Sequence, residues 1–276
     1  MTTDLPPFRA IANALRGDIL AGRVAPGERL PSENDLAERY ETTRATVRKA
    51  IALLRSEGLV LTEQGRGAFV RPRPHVKMLL TGANYRTRRD SGQSNFNAEA
   101  AAQGQHATQR LLVVEEVPAP VEIADRLHVS PGTTVIVRRR LFVIDDEPMQ
   151  LCDGYYPTTV FRGTAVAQPR RIKGGVHAVI EDPAGPVRAR VTQFIEDLTV
   201  RLPVPEESDA LAIPEGVPVV RVLRTAYDAH GLALEVLDSL VPTDRYAFRY
   251  VIDVPRRSPS PHHPHSACIC RQTSPQ

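Results

Sequence analysis

Cysteine is scarce in this 276-residue chain: Cys152, Cys268 and Cys270 are the whole supply. Three unevenly placed thiols cannot make a disulfide framework, so the expected compartment is a reducing cytoplasm. No apolar run approaches membrane-spanning length and no signal peptide precedes Phe8, so no membrane partner is expected. Lysine is nearly missing as well. Lys49, Lys77 and Lys173 stand against a Lys+Arg total of 35, so the basic surface is arginine. Charge of one sign does not accumulate: the formal net charge is only +3. That balance argues against non-specific coating of nucleic acid and is compatible with a sequence reader that carries an acidic second domain. What is present is length enough for two domains and a hydrophobic content of 42%, which supports a real core.

The most informative stretch runs from Leu30 to Val70. Ser32 followed by Asp35 is a capping-box-like start to a short helix ending near Tyr40. A polar turn, Glu41-Thr42-Thr43, leads to a second helix in which Val47, Ala50, Ile51 and Leu54 recur at helical spacing. Arg44 and Arg48 lie one turn apart on its other face, with Thr46 and Lys49 beside them. Gly58 is the expected helix stop. Two β-rich runs, Leu59–Thr62 and Ala68–Val70, then flank Gly65-Arg66-Gly67, a hairpin tip with an arginine between two glycines. Ahead of this stretch, Phe8, Ile11, Leu15 and Ile19 form one apolar stripe, predicting a third helix through about residue 21. The ensemble reads as a winged helix-turn-helix. A helix fits the major groove, and arginines near its start can bond bidentately to guanine edges. Thr43, Thr46 and the helix-start amides suit phosphates. Gly65 and Gly67 let the wing backbone approach a duplex closely.

The runs P-S-E-N-D-L-A-E-R-Y, T-R-A-T-V-R-K-A-I and Q-G-R-G-A-F-V, in that order and spacing, resemble the DNA-binding domain of GntR-family bacterial transcription regulators over roughly residues 8–70. The resemblance implies DNA contacts from Ser32, Glu33, Asn34, Thr43, Arg44, Thr46, Arg48, Lys49, Gly65, Arg66 and Gly67. Two positions depart from the pattern: Asn34 stands where many members have arginine, and Glu41 where many have glycine. The first bears on operator preference. The second places a carboxylate side chain at a turn that often wants positive φ.

Residues 71–109 carry prolines, arginines and a polar middle with little periodicity. They are expected to be a linker, with one short helical turn over Asn97–Gln103. Its arginines suit either a phosphate-touching arm or hinge, or a solvated connector. From Arg110 the pattern is β-rich, with strands predicted over Leu111–Val117, Thr134–Ile144, Met149–Tyr156, Val187–Leu202, Val217–Asp228, Leu232–Val241 and Arg249–Val254. Short helices are predicted over Val121–Val129 and Glu206–Ile213. Helix, turn, strand, turn, strand occurs twice, aligning Gly132 with Gly216, Arg140 with Arg224, Asp153 with Asp238 and Pro157 with Pro242. Residues 256–276, with three histidines and two cysteines in no standard zinc spacing, are expected to be a disordered tail.

Residues 110–254 resemble the UTRA ligand-binding domain of the histidine-utilisation-repressor-like subfamily, through R-R-R-L-F-V-I-D-D-E-P, G-Y-Y-P and P-T-D-R-Y-A-F. The resemblance implies an antiparallel sheet like that of chorismate lyase, a small-molecule site and a homodimer. An inward arginine on a strand is costly unless an anion meets it. Arg138 and Arg140, on one strand face, therefore suggest either a carboxylate or phosphate effector, or an internal ion pair with Asp153 or Glu196. Tyr155, Arg190, Glu235 and Tyr246 complete the candidate lining. The expected whole is an α+β protein: a winged helix-turn-helix over 1–70, a linker over 71–109, an effector and dimerisation domain over 110–255, and a tail. Its expected partners are an operator duplex, a small anionic effector and a second copy, with no metal or cofactor. An enzyme carrying a DNA-binding module, and a second domain that only dimerises, are the competing readings. No catalytic triad order or nucleotide loop favours the enzyme.

Overall fold

The structure, a computed structural model, describes residues 5–72, 78–81, 95–214 and 216–250. The expected tail and the linker residues Arg73, Lys77, Arg86, Arg88 and Arg89 lie outside the described residues.

Three helices and a hairpin form the N-terminal part. Helix α1 spans Pro7–Leu20, with proline in its first turn, where a missing N–H is harmless. Helix α2 spans Glu33–Arg39 and helix α3 spans Arg44–Ser56. Ile11, Leu15, Leu36, Val47, Ile51 and Leu54 meet in one core, which Leu30, Val60 and Val70 close from the hairpin side. Each such side chain contributes about 2 kcal/mol when fully buried. Gly58, at φ 68°, ends α3; the Leu59 amide then reaches back to Leu54 O at 3.0 Å. Strands β1 (Val60–Glu63) and β2 (Gly67–Val70) pair antiparallel. Glu28 and Leu30 add backbone bonds to the free edge of β2, bracing the wing.

The C-terminal part is built on a six-stranded antiparallel sheet. Its strands are β4 (Ala107–Pro118), β5 (Thr134–Ile144), β6 (Glu147–Pro157), β7 (Val191–Arg201), β8 (Val219–Asp228) and β9 (Ala233–Pro242), in the order β4-β5-β6-β9-β8-β7. The internal repeat is visible in this order. Each half is a strand hairpin preceded by a short helix, α5 (Val121–Leu127) or α8 (Pro205–Leu211), and the halves join where β6 meets β9. Asp153 and Asp238, aligned by the repeat, are direct partners across that join.

One sheet face lies against α5 and α8. The other is covered by helix α4 (Asn95–Ala102), by α6 (Thr158–Phe161) and α7 (Val176–Ile180), and by a parallel pair, β3 (Met78–Thr81) with β10 (Tyr246–Arg249). Strand β10 occupies Tyr246–Arg249. The strand expected over Arg249–Val254 lies, past Tyr250, outside the described residues. Within 71–109, Met78, Phe96 and Ala100 are buried against the sheet, so these pieces belong to the second core rather than to a solvated connector.

Candidate nucleic-acid interface and effector site

The face of α3 turned away from the core is cationic. The side chains of Arg44 and Arg48 are 60% and 65% exposed, and that of Arg66 at the wing tip is 72% exposed. Arg48 forks onto Glu33, with Nε donating to Oε1 at 3.2 Å and Nη2 to Oε2 at 2.9 Å; Arg44 Nη2 lies 3.5 Å from the same carboxylate. The fork from Arg48 holds the Glu33 carboxyl below its usual range, with both guanidinium charges adding to it. Glu33 thus bridges α2 to α3 and orients both arginines. Ser32 caps α2: its hydroxyl accepts from the Asp35 amide at 3.2 Å while the Asp35 carboxylate accepts from the Ser32 amide at 3.0 Å. Thr43 caps α3 by accepting from the Thr46 amide, and the two hydroxyls lie 3.0 Å apart. Asn34 on α2 and Lys49 on α3 are exposed. Arg66 pairs with Glu63 and sits 5.6 Å from the Phe69 ring centroid. Gly65 and Gly67, at φ 75° and 111°, make the tip. All eleven residues expected at DNA are thereby placed on α2, the α2–α3 turn, α3 or the wing.

The second site is a polar cluster buried on the sheet face opposite α5 and α8. Arg140, 8% exposed, has Nη2 at 3.4 Å from Cys152 Sγ and its guanidinium 5.6 Å from the Phe142 centroid. Its Nε has no hydrogen-bond partner among the described residues, and neither does the buried hydroxyl of Tyr246. Glu235, 2% exposed, accepts from Tyr156 Oη at 2.7 Å and lies 3.2 Å from His177 Nε2. Burial alone would raise this carboxyl, but the bond to His177, with the charges of His177 and Arg140, holds it below the ordinary value. Burial pushes the Cys152 thiol and the Tyr246 phenol upward. Arg224, on the neighbouring hairpin, places Nε 2.5 Å from Glu196 Oε1, and burial pulls its pKa down to about 10.

Several expected site residues fall elsewhere. Arg138 shares the face of Arg140, but its guanidinium is committed to the carbonyls of Val166, Gln168 and Arg170 at 2.7–2.9 Å. It fastens the segment after α6. Asp153 points to the opposite face, where Arg139 holds it with bonds of 2.8 and 2.6 Å. Tyr155 lies on that face too, against the α5 cluster. Arg190 is exposed ahead of β7. The alternative ion pairs of Arg138 or Arg140 with Asp153 or Glu196 therefore do not form. Residue-by-residue reading missed Tyr156 and His177 on Glu235, Ser239 beside Cys152, and Arg224 near the Glu235 charge; the repeat, which aligns Arg224 with Arg140, carried a signal for the last.

Three helices with a wing, followed by a six-stranded antiparallel sheet domain, define the class of winged helix-turn-helix proteins that carry a second domain. The comparisons narrow the class to a family. The model of the bacterial regulatory proteins of the gntR family matches residues 7–70, and that of the UTRA domain matches residues 102–247. SCO4628, an HTH-type transcriptional regulator of Streptomyces coelicolor, is 29% identical over 261 residues, 92% of this chain and 96% of its own. The HTH-type transcriptional repressor NagR of Bacillus subtilis is 26% identical over 249 residues, 90% of this chain and 96% of its own. A solved GntR-family transcriptional regulator superposes with a TM-score of 0.65 at 30% identity, across 91% of this chain and 99% of that one. PhnF from Mycobacterium smegmatis, at 24% identity, shares the fold with a TM-score of 0.54 over 89% of this chain and all of its own. The chain belongs to the gntR family and carries a UTRA domain. Its relatives are transcriptional regulators, not enzymes. No helix among the described residues is long and apolar enough to cross a membrane.

Proposed function

We propose that this regulator is a repressor that binds a short palindromic operator as a homodimer and is modulated by a small anionic metabolite held at Arg140. Two copies of α3 related by a two-fold axis would read two half-sites. Arg44 and Arg48 read base edges, Thr43, Thr46, Asn34 and Lys49 meet phosphates, and the Arg66 wing enters the adjacent minor groove. Repression follows the printed names of relatives such as NagR. The observation that carries the effector reading is the buried Arg140 Nε left without a partner, facing a cluster that also holds the free Tyr246 hydroxyl. An unpaired buried guanidinium nitrogen is costly, and an anion with a hydroxyl or amino group would satisfy Arg140 and Tyr246 together.

The test has two arms. Arg44→Ala and Arg48→Ala should each weaken binding to a duplex selected by the parent protein by roughly 1–3 kcal/mol. Affinity unchanged to within about twofold would remove the base-reading role. In the second arm, a thermal-shift screen of small acids and sugar phosphates should find a stabiliser, since a ligand that binds only the folded state raises its melting temperature. Arg140→Met should abolish that shift; a shift that survives places the effector elsewhere.

A further inference from the structure

The two domains meet at a seam that the functions above leave unassigned. Gly58, just past the reading helix, and Gly216, in the turn before β8, touch backbone to backbone. A Cβ at Gly216 would lie 2.3 Å from Ser56 O and 2.5 Å from Gly58 N, and one at Gly58 would lie 3.0 Å from Gly216 O. No side chain fits between them. Beside this contact Arg71, the first basic residue after the wing, pairs with Asp244 in the turn between β9 and β10. Both side chains are less than a fifth exposed, and Arg71 Nη1 also reaches Gly58 O at 3.4 Å. A half-buried cation needs such a partner, and removing one member of the pair strands the other.

The next two residues continue the line inward. Arg245 donates to Leu211 O at 2.8 Å, to Ala212 O at 3.1 Å and to Pro148 O, and its Nε lies 3.0 Å from Glu147 Oε1. That fixes it to the end of α8 and to the β5–β6 hairpin. Its carbonyl accepts from the Met78 amide at 2.8 Å, which starts the β3–β10 pair. Tyr246 then enters the buried cluster with Met78, Phe96 and Cys152. Three consecutive residues therefore touch the reader, the scaffold and the polar cluster in turn.

We infer that Asp244 and Gly216 are positioning residues: through Arg71 and Gly58 they hold the reader in one orientation on the effector domain, and Tyr246 connects that orientation to the buried cluster. The inference rests on the DNA-reading assignment for its consequence but not for its first test. Spin labels at Thr62→Cys and Glu115→Cys, in full-length protein with Cys268→Ser and Cys270→Ser and diluted with unlabelled copies, read the distance between the domains. The parent should give one narrow distribution. Asp244→Asn, Gly216→Ala, Arg71→Asp and Asp244→Arg should broaden it, and the exchanged pair Arg71→Asp/Asp244→Arg should narrow it again. A parent distribution that is already broad, or one unchanged in every variant, overturns the inference. The exchanged pair guards against variants that merely fail to fold.

The second test uses a duplex selected from a random library by the parent. Inserting three base pairs between its half-sites should weaken the parent at least tenfold and the Asp244→Asn variant less than threefold. Broadened distances with spacing discrimination intact overturn the positioning role. Failure of the parent to select any duplex would count against the DNA-reading assignment, while the distances still judge the seam.

Discussion

Glu41 is a residue in the wrong place by local rules. It sits at φ 48°, a left-handed conformation in which an L side chain crowds its own carbonyl at a cost of roughly 1–2 kcal/mol. Glycine loses more freedom on folding, which offsets part of the gain. Glu41→Gly should therefore stabilise the protein by about 0.5–1 kcal/mol, read as a higher urea midpoint with unchanged slope. A second residue sets a pH dependence. The Glu235 carboxyl is held below its ordinary value by His177 and Arg140. Its contribution to stability is thus complete above the unfolded value of about 4.3 and is lost as pH falls through the lower folded value. Urea midpoints of the parent should drop more steeply below about pH 5 than those of Glu235→Gln, by up to one proton or about 1.4 kcal/mol per pH unit. Parallel acid limbs would show that Glu235 is not ionised in the folded protein. Residue by residue, strand alternation made Arg140 and Glu235 legible as inward groups, while Asp153, one place beyond Cys152, faces the other way. Adjacency in sequence is opposition in a strand, and a pattern read from spacing alone does not say which of two neighbours lies inside.

At the scale of elements, the N-terminal helices were legible because their determinants are local. The caps at Ser32 and Thr43, the stop at Gly58 and the apolar spacing of α3 are all within a few residues of what they fix. The β5–β6 and β8–β9 hairpins were legible for the same reason, helped by the repeat. The β3–β10 pair was not, because its two strands come from distant parts of the chain and neither carries an alternating pattern of its own. Helix α4 was legible as the short helical turn expected over Asn97–Gln103, but its burial was not: its run of alanines has almost no amphipathic signal, and only the sheet beneath it gives Phe96 and Ala100 something to bury against. This assignment has a sharp consequence. Phe96 lies 4.6 Å from the Phe142 ring and is 8% exposed. Phe96→Ala should cost about 3 kcal/mol in a chemical-denaturation measurement, as a core aromatic does. In a solvated connector the same change would cost less than about 0.5 kcal/mol.

For the whole molecule, the question is what the second domain adds to a reader that has its own core. Every member of the apolar cluster around Leu15, Leu36 and Leu54 comes from the segment between Phe8 and Val70, so residues 1–72 carry the contacts that fold the reader. Among the described residues, the contacts that cross to the sheet domain include the Arg71–Asp244 pair and the backbone approach of Gly58 to Gly216, with the Val217 side chain beside it. Separation should therefore leave the reading helix intact while removing whatever joins two readers. If the operator is met by two copies at once, joining them makes the second half-site an intramolecular event, and separation should weaken binding by a factor of about 10² to 10⁴. Salt gives an independent measure, because each neutralised phosphate contributes a slope of about −0.9 to log affinity against log salt. Fluorescence anisotropy on a two-half-site duplex should give the full chain about twice the slope of residues 1–72 bound singly. Equal slopes would mean that one reader at a time touches the duplex, and a two-fold arrangement on DNA would have to be given up even with Arg44 and Arg48 confirmed as the groups that read it.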